Sequence, residues 1–316
     1  MANSMTSIAN IPRCQIIPLP NQATSFQIDG TETLRWNFGN EYSRPFFYPV
    51  NGPHGTSLVR LGHPGAPNHD HHRGIWFAHN DIEELDFWAE GKDNQILQTQ
   101  WLAYEDGDDY AALAVQTEFH AGHDPLPIIQ QEIVAVMRPL DHGQYTLELQ
   151  TTITPTMASL TLNKTNFGFL AVRMAANISS HFGAGTITNQ AGKTGEPALF
   201  GKSANYIDYS GPVRSKNHNE SIEGLTYFDH PSNPSYPSKW HIREDGWMGA
   251  SVCRDGPIVL TPSTPLQLRY LLHVHSHPIN HQIAKGLQKT FFNSPAWNVL
   301  KSKRRHRHLD ILPVVE

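Results

Sequence analysis

Residues 144–154 read QYTLELQTTIT, and this stretch decides the fold class. Apolar and polar side chains alternate along it, with Tyr145, Leu147, Leu149 and Ile153 on one side and Thr146, Glu148, Gln150 and Thr152 on the other. A two-residue period predicts an antiparallel strand with one face in the core and the other in water.

Further β-favouring segments surround this strand and are joined by short turns. They cover residues 95–103, 110–120, 128–138, 160–162, 167–174, 240–243, 258–262 and 266–275, and Asp29-Gly30 adds a two-residue hairpin signal near the start. One helix is expected from Pro278, because Ile279, Ile283, Leu287 and Phe291 recur every four residues. The sequence therefore predicts an all-β fold, a large antiparallel β-sandwich of roughly a dozen or more strands with one short C-terminal helix. Its core should include Leu149, Ile153, Leu268 and Leu272.

Length and composition limit the number of domains, the partners and the location that we expect for this protein. We expect 316 residues to form a single domain over 1–316, with 1–15 and 295–316 as peripheral arms. A net charge of -5 argues against a nucleic-acid partner, and the basic run 301–308 is typical of a solvated terminus. The chain has two cysteines and no run of about 18 apolar residues, which predicts a cytoplasmic protein with no membrane partner.

Six of the 19 histidines lie between His54 and His79. Glycine and proline residues predict a turn before residues 69–73, which read HDHHR, and residues 74–79 then read as a strand. If 69–73 is extended, His69, His71 and Arg73 share one face, with His72 on the other. Such crowding of imidazoles suggests chemistry more than packing.

Three interpretations of this stretch remain open. His69, His71 and His72, near Asp70 or Asp86, could bind a divalent metal as a cofactor, although no dedicated zinc signature is present. Alternatively, the histidines act as general acids and bases or as hydrogen-bonding groups, with Arg73 holding an anion or a hydroxyl. In the third interpretation they only close hydrogen bonds within a loop.

A second group of polar and aromatic residues follows more than 100 residues later. It includes Asn205, His230, Trp240, His241 and Arg243. On a strand, His241 and Arg243 share one face and Trp240 the other. Trp88 with Asp86 could hold a sugar by stacking and hydrogen bonding, and Arg173 could face inward as a cation.

Five segments together resemble the bacterial PmoA-like family, whose members often carry the label of a methane oxygenase. They are residues 44–79, 85–91 (LDFWAEG), 205–212 (NYIDYSGP), 228–243 (FDHPSNPSYPSKWHIR) and 266–275 (LQLRYLLHVH). The resemblance runs from about residue 16 to about residue 277. It implies a fold similar to that of galactose-mutarotase-like supersandwich proteins and a role in carbohydrate metabolism.

The favoured hypothesis is a protein that binds a small-molecule carbohydrate, a sugar or an oxidised sugar, and acts on it by acid/base chemistry as an epimerase, lyase or hydrolase. A non-catalytic carbohydrate-binding protein and a metal-dependent oxidoreductase are the alternatives. The proposed catalytic residues are His71, His72, Arg73, His241 and Arg243. The proposed substrate-binding residues are His69, His79, Asp86, Trp88, Arg173, Asn205, His230 and Trp240. We also predict that the two groups meet in one cleft.

Overall fold

Two eight-stranded antiparallel sheets form most of the protein. The computed structural model describes residues 11–63, 65–66, 69–90, 93–215 and 217–315. Sheet 1 contains, in spatial order, β1 (Cys14–Leu19), β2 (Ala23–Ile28), β3 (Thr31–Asn37), β4 (Phe46–Val50), β5 (Ile75–His79), β11 (Gly168–Arg173), β16 (Trp247–Ala250) and β15 (Trp240–Arg243). Sheet 2 contains β12 (Thr186–Asn189), β13 (Tyr206–Arg214), β14 (Glu220–Asp229), β18 (Leu266–Ser276), β9 (Tyr145–Pro155), β8 (Pro127–Pro139), β7 (Ala111–His120) and β6 (Gln95–Glu105). The predicted all-β sandwich is confirmed.

Smaller elements complete the fold. Two strand pairs lie outside the large sheets, β10 (Leu160–Leu162) with β17 (Ile258–Leu260) and β19 (Trp297–Lys301) with β20 (Leu309–Pro313). A short helix, α1, spans Glu196–Leu199, and a longer helix, α2, spans His281–Asn293. The side chain of Asn280 caps α2 by accepting hydrogen bonds from the amides of Gln282 and Ile283. The predicted C-terminal helix is therefore present, and it begins after Asn280.

Asp29 and Gly30 form the predicted hairpin turn between β2 and β3. Both residues have positive φ angles, 51° and 76°, which a type I′ turn requires. β1 precedes this hairpin and pairs with β2 as the edge strand of sheet 1. The edge strand and the hairpin open the fold together.

The main core lies between the two sheets. Leu149 and Ile153 of β9 and Leu268 and Leu272 of β18 are all buried in it, as the alternation of both strands predicts. Tyr227 of β14 reaches across to sheet 1, where its hydroxyl donates to the carbonyl of Leu170 at 3.3 Å.

The second face of β9 differs from the prediction, because it is covered rather than in water. Glu148 forms an ion pair with Arg269 at 2.6 Å, and the side-chain amide of Gln150 donates to the carbonyl of Trp297 at 2.7 Å. Trp297 and Ile311, from β19 and β20, pack on sheet 2 with four of its buried side chains, Ala112, Ala114, Val134 and Val136. The segment 295–313, predicted as part of a peripheral arm, therefore supplies a second layer on sheet 2. Residues 1–10 of the other predicted arm lie outside the described residues.

Within the part of the chain that the structure describes, no helix is long and apolar enough to cross a membrane.

Candidate functional site

Four neighbouring strands of sheet 1, β5, β11, β16 and β15, carry most side chains of the candidate site. Trp240 of β15 points toward sheet 2, where its ring lies 4.8 Å from that of Tyr227. Because side chains alternate along a strand, His241 and Arg243 point away from sheet 2. His241 pairs with Gly249, and Arg243 pairs with Trp247, which in turn pairs with Arg173 on β11. The face of sheet 1 that points away from sheet 2 therefore holds polar and aromatic groups together.

The predicted histidine turn lies over this face. Residues 69–72 form a turn rather than the extended segment considered above, since the amide of His72 donates to the carbonyl of His69 at 3.1 Å. As a result, the rings of His69, His71 and His72 are mutual neighbours instead of alternating between two faces, with centroids 4.4 to 6.1 Å apart. The chain then enters β5 at Gly74, where φ is +61° and a Cβ would lie 2.2 Å from the carbonyl oxygen of Phe47. Pro64, Pro67 and Asn68, which belong to the predicted turn, lie outside the described residues.

Three tryptophans form the wall beneath this turn. The ring of His72 lies 5.7 Å from Trp76 and 5.2 Å from Trp247, and both pairs are stacked. Trp88 lies 5.6 Å from Trp76 and 5.2 Å from Trp247. All three indoles are buried. Trp88 was predicted as a ligand-stacking residue, and it packs within this wall.

The second predicted group reaches the same wall through His241. Its ring lies 5.8 Å from Trp247 and 4.9 Å from Phe167. Arg243 lies further out, where its guanidinium pairs with Glu196 at 3.0 Å and is half exposed. The structure thus brings the histidine turn and the 240–243 strand together around Trp247.

Arg173 is fully buried and already has a carboxylate partner. Its two terminal nitrogens donate to Asp245 at 2.8 and 3.1 Å. The carboxylate of Asp245 also lies near His63, with 3.7 Å between an imidazole nitrogen and a carboxylate oxygen. The backbone carbonyl of Asp245 accepts a hydrogen bond from Arg60. Burial raises the pKa of Asp245, but the hydrogen bonds and charge of Arg173 outweigh this, so the net pKa is lowered.

Charged residues also line the side near Trp88. Arg73 holds Glu90 through two hydrogen bonds, at 2.5 and 2.7 Å, and lies over the rings of Tyr42 and Phe46. Asp86 accepts from the backbone amides of Trp88 and Ala89, so it shapes the loop that carries Trp88. We refer to His69, His71, His72, Trp76, Trp88, His241 and Trp247, with Arg44, Arg60, Arg73, Arg173 and Asp245, as the cluster.

Several buried nitrogen atoms of the cluster have no hydrogen-bond partner among the described residues. They are Nε and Nη1 of Arg44, Nε of Arg60, Nδ1 of His72, Nε1 of Trp76, Nε of Arg173, Nδ1 of His241 and Nε1 of Trp247. The arginine and tryptophan atoms can only donate. Buried polar groups in native proteins are nearly always paired, so a set of unpartnered donors at one place is unusual.

The imidazoles of the cluster are uncharged at neutral pH. Burial, with the added charge of Arg44, lowers the pKa of His71 to about 4, and burial with the charge of Arg243 does the same for His241. The pKa of His72 is lowered further, first by burial and then by His71. Burial also lowers the pKa of His69. Neutral imidazoles can accept a proton or a hydrogen bond from a ligand.

Two residues predicted to bind the substrate point into the core instead. His79 lies on the same face of β5 as Phe77, and its Nε2 is 3.0 Å from the carbonyl oxygen of Asn163. Trp240 donates from Nε1 to the carbonyl of Ala204. Both side chains are fully buried on the sheet 2 side of sheet 1, so neither is part of the cluster.

Two further predicted residues belong to sheet 2. The ring of His230 lies 4.7 Å from Phe291 of α2, and its Nε2 is 3.3 Å from a guanidinium nitrogen of Arg269. Asn205, just before β13, accepts a hydrogen bond from the amide of Asp229 through its backbone carbonyl. These contacts are structural, and the structure does not place either residue in the cluster.

Sequence reasoning missed Trp247, Trp76 and Asp245. A usable signal existed for the first, because Asp245-Gly246 is a hairpin dipeptide that returns the chain beside β15. Trp247 then pairs with Arg243, on the face already predicted to be polar. For Asp245 the signal was weaker, since its partners come from two distant segments, residues 60–63 and Arg173.

The metal interpretation receives no geometric support. Among the described residues, no group of three or more histidine, cysteine, aspartate or glutamate side chains is arranged to hold a metal ion. His69, His71 and His72 are neighbours but do not form such a group, so we derive no step through a metal.

Comparison with known proteins gives a family and distant likenesses in fold. Residues 23–288 match the family of unknown function DUF6807. A search of curated proteins found no match. The resemblance to PmoA-like proteins remains a prediction.

Solved structures similar to this chain include three proteins. One is a putative mutarotase from Salmonella typhimurium, with 12% identity, 84% of this chain and 94% of that chain covered, and a TM-score of 0.37. Another is a GalM/aldose epimerase homologue from C. elegans, with 10% identity, 84% of this chain and 100% of that chain covered, and a TM-score of 0.32. The third is a polysaccharide lyase, with 12% identity, 92% of this chain and 35% of that chain covered, and a TM-score of 0.32.

Proposed function

Because the match spans most of its length, the chain belongs to the family DUF6807, and we propose that it binds a sugar or an oxidised sugar in the cluster and transfers protons to or from it. The observation that carries this proposal is the set of unpartnered buried donors around the tryptophan wall. Sugar hydroxyl and carbonyl oxygens accept from such donors, while the C–H face of a sugar packs on indole rings.

Within this proposal, His72 and His241 are the proton acceptors. Both rings contact Trp247, and each has an unpartnered Nδ1. A neutral imidazole removes an acidic proton beside a carbonyl, and a guanidinium stabilises the oxyanion that forms. Arg44 and Arg173 are the buried guanidinium groups of the cluster. Arg173 is held by Asp245, as Arg73 and Arg243 are held by Glu90 and Glu196, whereas Arg44 has no hydrogen-bonded carboxylate among the described residues.

A second candidate is a carbohydrate-binding protein without turnover. The pKa of about 4 at His71 and His241 favours it, because an imidazole of such low pKa is a weak base. A metal-dependent oxidoreductase remains a third hypothesis, which metal analysis of protein purified without a histidine tag would check.

Proton exchange separates the first two candidates. Neutral sugars and sugar acids are incubated with the protein in D₂O, and deuterium incorporation beside the carbonyl carbon is followed by NMR. Exchange that is lost in His72→Gln and His241→Gln but kept in His123→Gln, an exposed control, supports an enzyme. Binding without exchange supports the binding protein, and no binding of any sugar refutes both.

A further inference from the structure

Arg44 is a buried cation at the side of the cluster near Trp88. It lies in the bend before β4, whose first residue, Phe46, pairs with Trp76. Its guanidinium carbon lies 5.9 Å from the centre of the Trp76 ring, and the residue is 1% exposed. One terminal nitrogen donates to the backbone carbonyl of Trp88.

Two further nitrogens of Arg44 are buried donors. Nε and Nη1 have no partner among the described residues. Of the two acids close enough to influence Arg44, Glu90 is held by two hydrogen bonds from Arg73, and Asp86 accepts two backbone amides. A guanidinium bonded only to a neutral carbonyl in a buried position is costly, and burial lowers the pKa of Arg44 to about 10.

We propose that Arg44 binds a carboxylate of the ligand, so that the natural ligand is a sugar acid rather than a neutral sugar. This inference rests on the proposed function and narrows its substrate class. A carboxylate supplies the negative charge that Arg44 lacks as a hydrogen-bonded partner, and one of its oxygens can accept from an unpartnered nitrogen of Arg44, Nε or Nη1. Glu90 and Asp86 repel any anion near Arg44, and they repel a phosphate, which carries more charge, more strongly than a carboxylate.

A carboxylate at this position would also act on His71. After burial, the charge of Arg44 is the next cause of the low pKa of His71. A bound carboxylate offsets that charge, so His71 becomes a stronger base when the acid is present. The pKa of His71, which is not one of the two proposed proton acceptors, should therefore rise when the acid binds.

The test compares ligands that differ only in charge. Binding of D-galacturonate, D-glucuronate and D-gluconate, each beside its uncharged amide, is measured by calorimetry at pH 7. We expect wild-type protein to bind at least one acid about 10- to 100-fold more tightly than its amide, the range for a hydrogen-bonded charge pair. Arg44→Gln should reduce this ratio to within about threefold. Arg138→Gln is the matched control, because Arg138 also lies over two aromatic rings but on sheet 2.

The outcomes separate this inference from the proposed function. If acid and amide bind equally well and Arg44→Gln weakens both alike, the sugar-binding proposal stands and the carboxylate inference is wrong. Tighter binding of glucose 6-phosphate than of any acid, lost in Arg44→Gln, would also overturn it. If none of these compounds binds, both proposals fail. Should Arg44→Gln not fold, the wild-type ratio decides the ligand class. Arg44→Met, which keeps a long apolar side chain but removes the charge and the donors, then decides the residue: an unchanged ratio excludes Arg44.

Discussion

The ring of His72 stacks on Trp247, with centroids 5.2 Å apart and an angle of 29° between the planes. The same indole lies 5.8 Å from the ring of His241. Trp247 therefore connects the histidine turn with β15. Two groups that are distant in sequence thus share one aromatic contact.

The first prediction tests this connection with His72→Gln, His241→Gln and the double variant. We expect each single change to weaken binding of the tightest sugar acid, and the two losses to be non-additive by about 0.5–1.5 kcal/mol, because neighbouring residues couple. Calorimetric titration of the four proteins measures the coupling. Glutamine is preferred to alanine, since the two rings are 6% and 8% exposed and alanine would leave cavities. Strict additivity would mean that the two histidines do not share a site.

The second prediction concerns stability in acid. The folded protein holds several histidines with a lowered pKa, about 4 for His71, His79, His230 and His241 and about 3 for His273, with burial as the largest cause in each. In the unfolded chain these groups titrate near pH 6.5, so between pH 6.5 and 4 only the unfolded state takes up protons. Stability should be fully present above pH 6.5 and fall as the pH decreases. The slope is about 1.4 kcal/mol per pH unit for each histidine.

Urea unfolding at several pH values between 7 and 4.5 measures this slope. His275 acts in the opposite direction, because its ion pair with Asp208 outweighs burial and raises its pKa. The contribution of His275 to the stability of the folded protein is present below pH 6.5 and is lost as the pH rises through its raised pKa. A free energy of unfolding that does not change between pH 6.5 and 4.5 would contradict the buried, neutral state of these rings.

The third prediction tests the register of sheet 2. Leu149 is fully buried in the main core and pairs with Ala135 and Tyr270. Leu149→Ala should lower the free energy of unfolding by about 2–5 kcal/mol. Val259→Ala is the control, because Val259 is mostly exposed, and it should cost less than about 0.5 kcal/mol. Equal losses at the two positions would show that the β9 register is wrong.

The sandwich was predictable because its signals are local. Alternation in β9 and β18 and the Asp29-Gly30 dipeptide each depend on neighbours in the chain, and each corresponds to a strand or turn in the structure. The burial of Glu148 could not be predicted in the same way. Its partner Arg269 and the covering segment around Trp297 are far away in sequence, so the strand alone reads as half exposed.

The candidate site was predictable only in part, for a related reason. The strand period correctly separates His241 from Trp240, because it fixes which side of sheet 1 each side chain faces. It cannot show that His69, His71 and His72 form a turn, which depends on hydrogen bonds rather than on periodicity. Arg44 was read only as the start of an aromatic strand. Its proposed role rests on two nitrogens that have no partner among the described residues, and a sequence does not display such atoms.

The last prediction concerns the ion pair between Arg173 and Asp245, which are both members of the cluster. Arg173 is 0% exposed in its side chain and depends on Asp245, which is 30% exposed, for its charged partner. Asp245→Asn leaves the guanidinium buried without a counter-charge, and we expect it to lower the free energy of unfolding by about 3 kcal/mol. Asp255→Asn is the matched control, because its pair with Lys239 is exposed, and it should cost less than about 1 kcal/mol. Urea unfolding at pH 7 measures both. If Asp245→Asn is as mild as the control, then Arg173 is stabilised by groups other than Asp245 and remains available to hold a ligand directly.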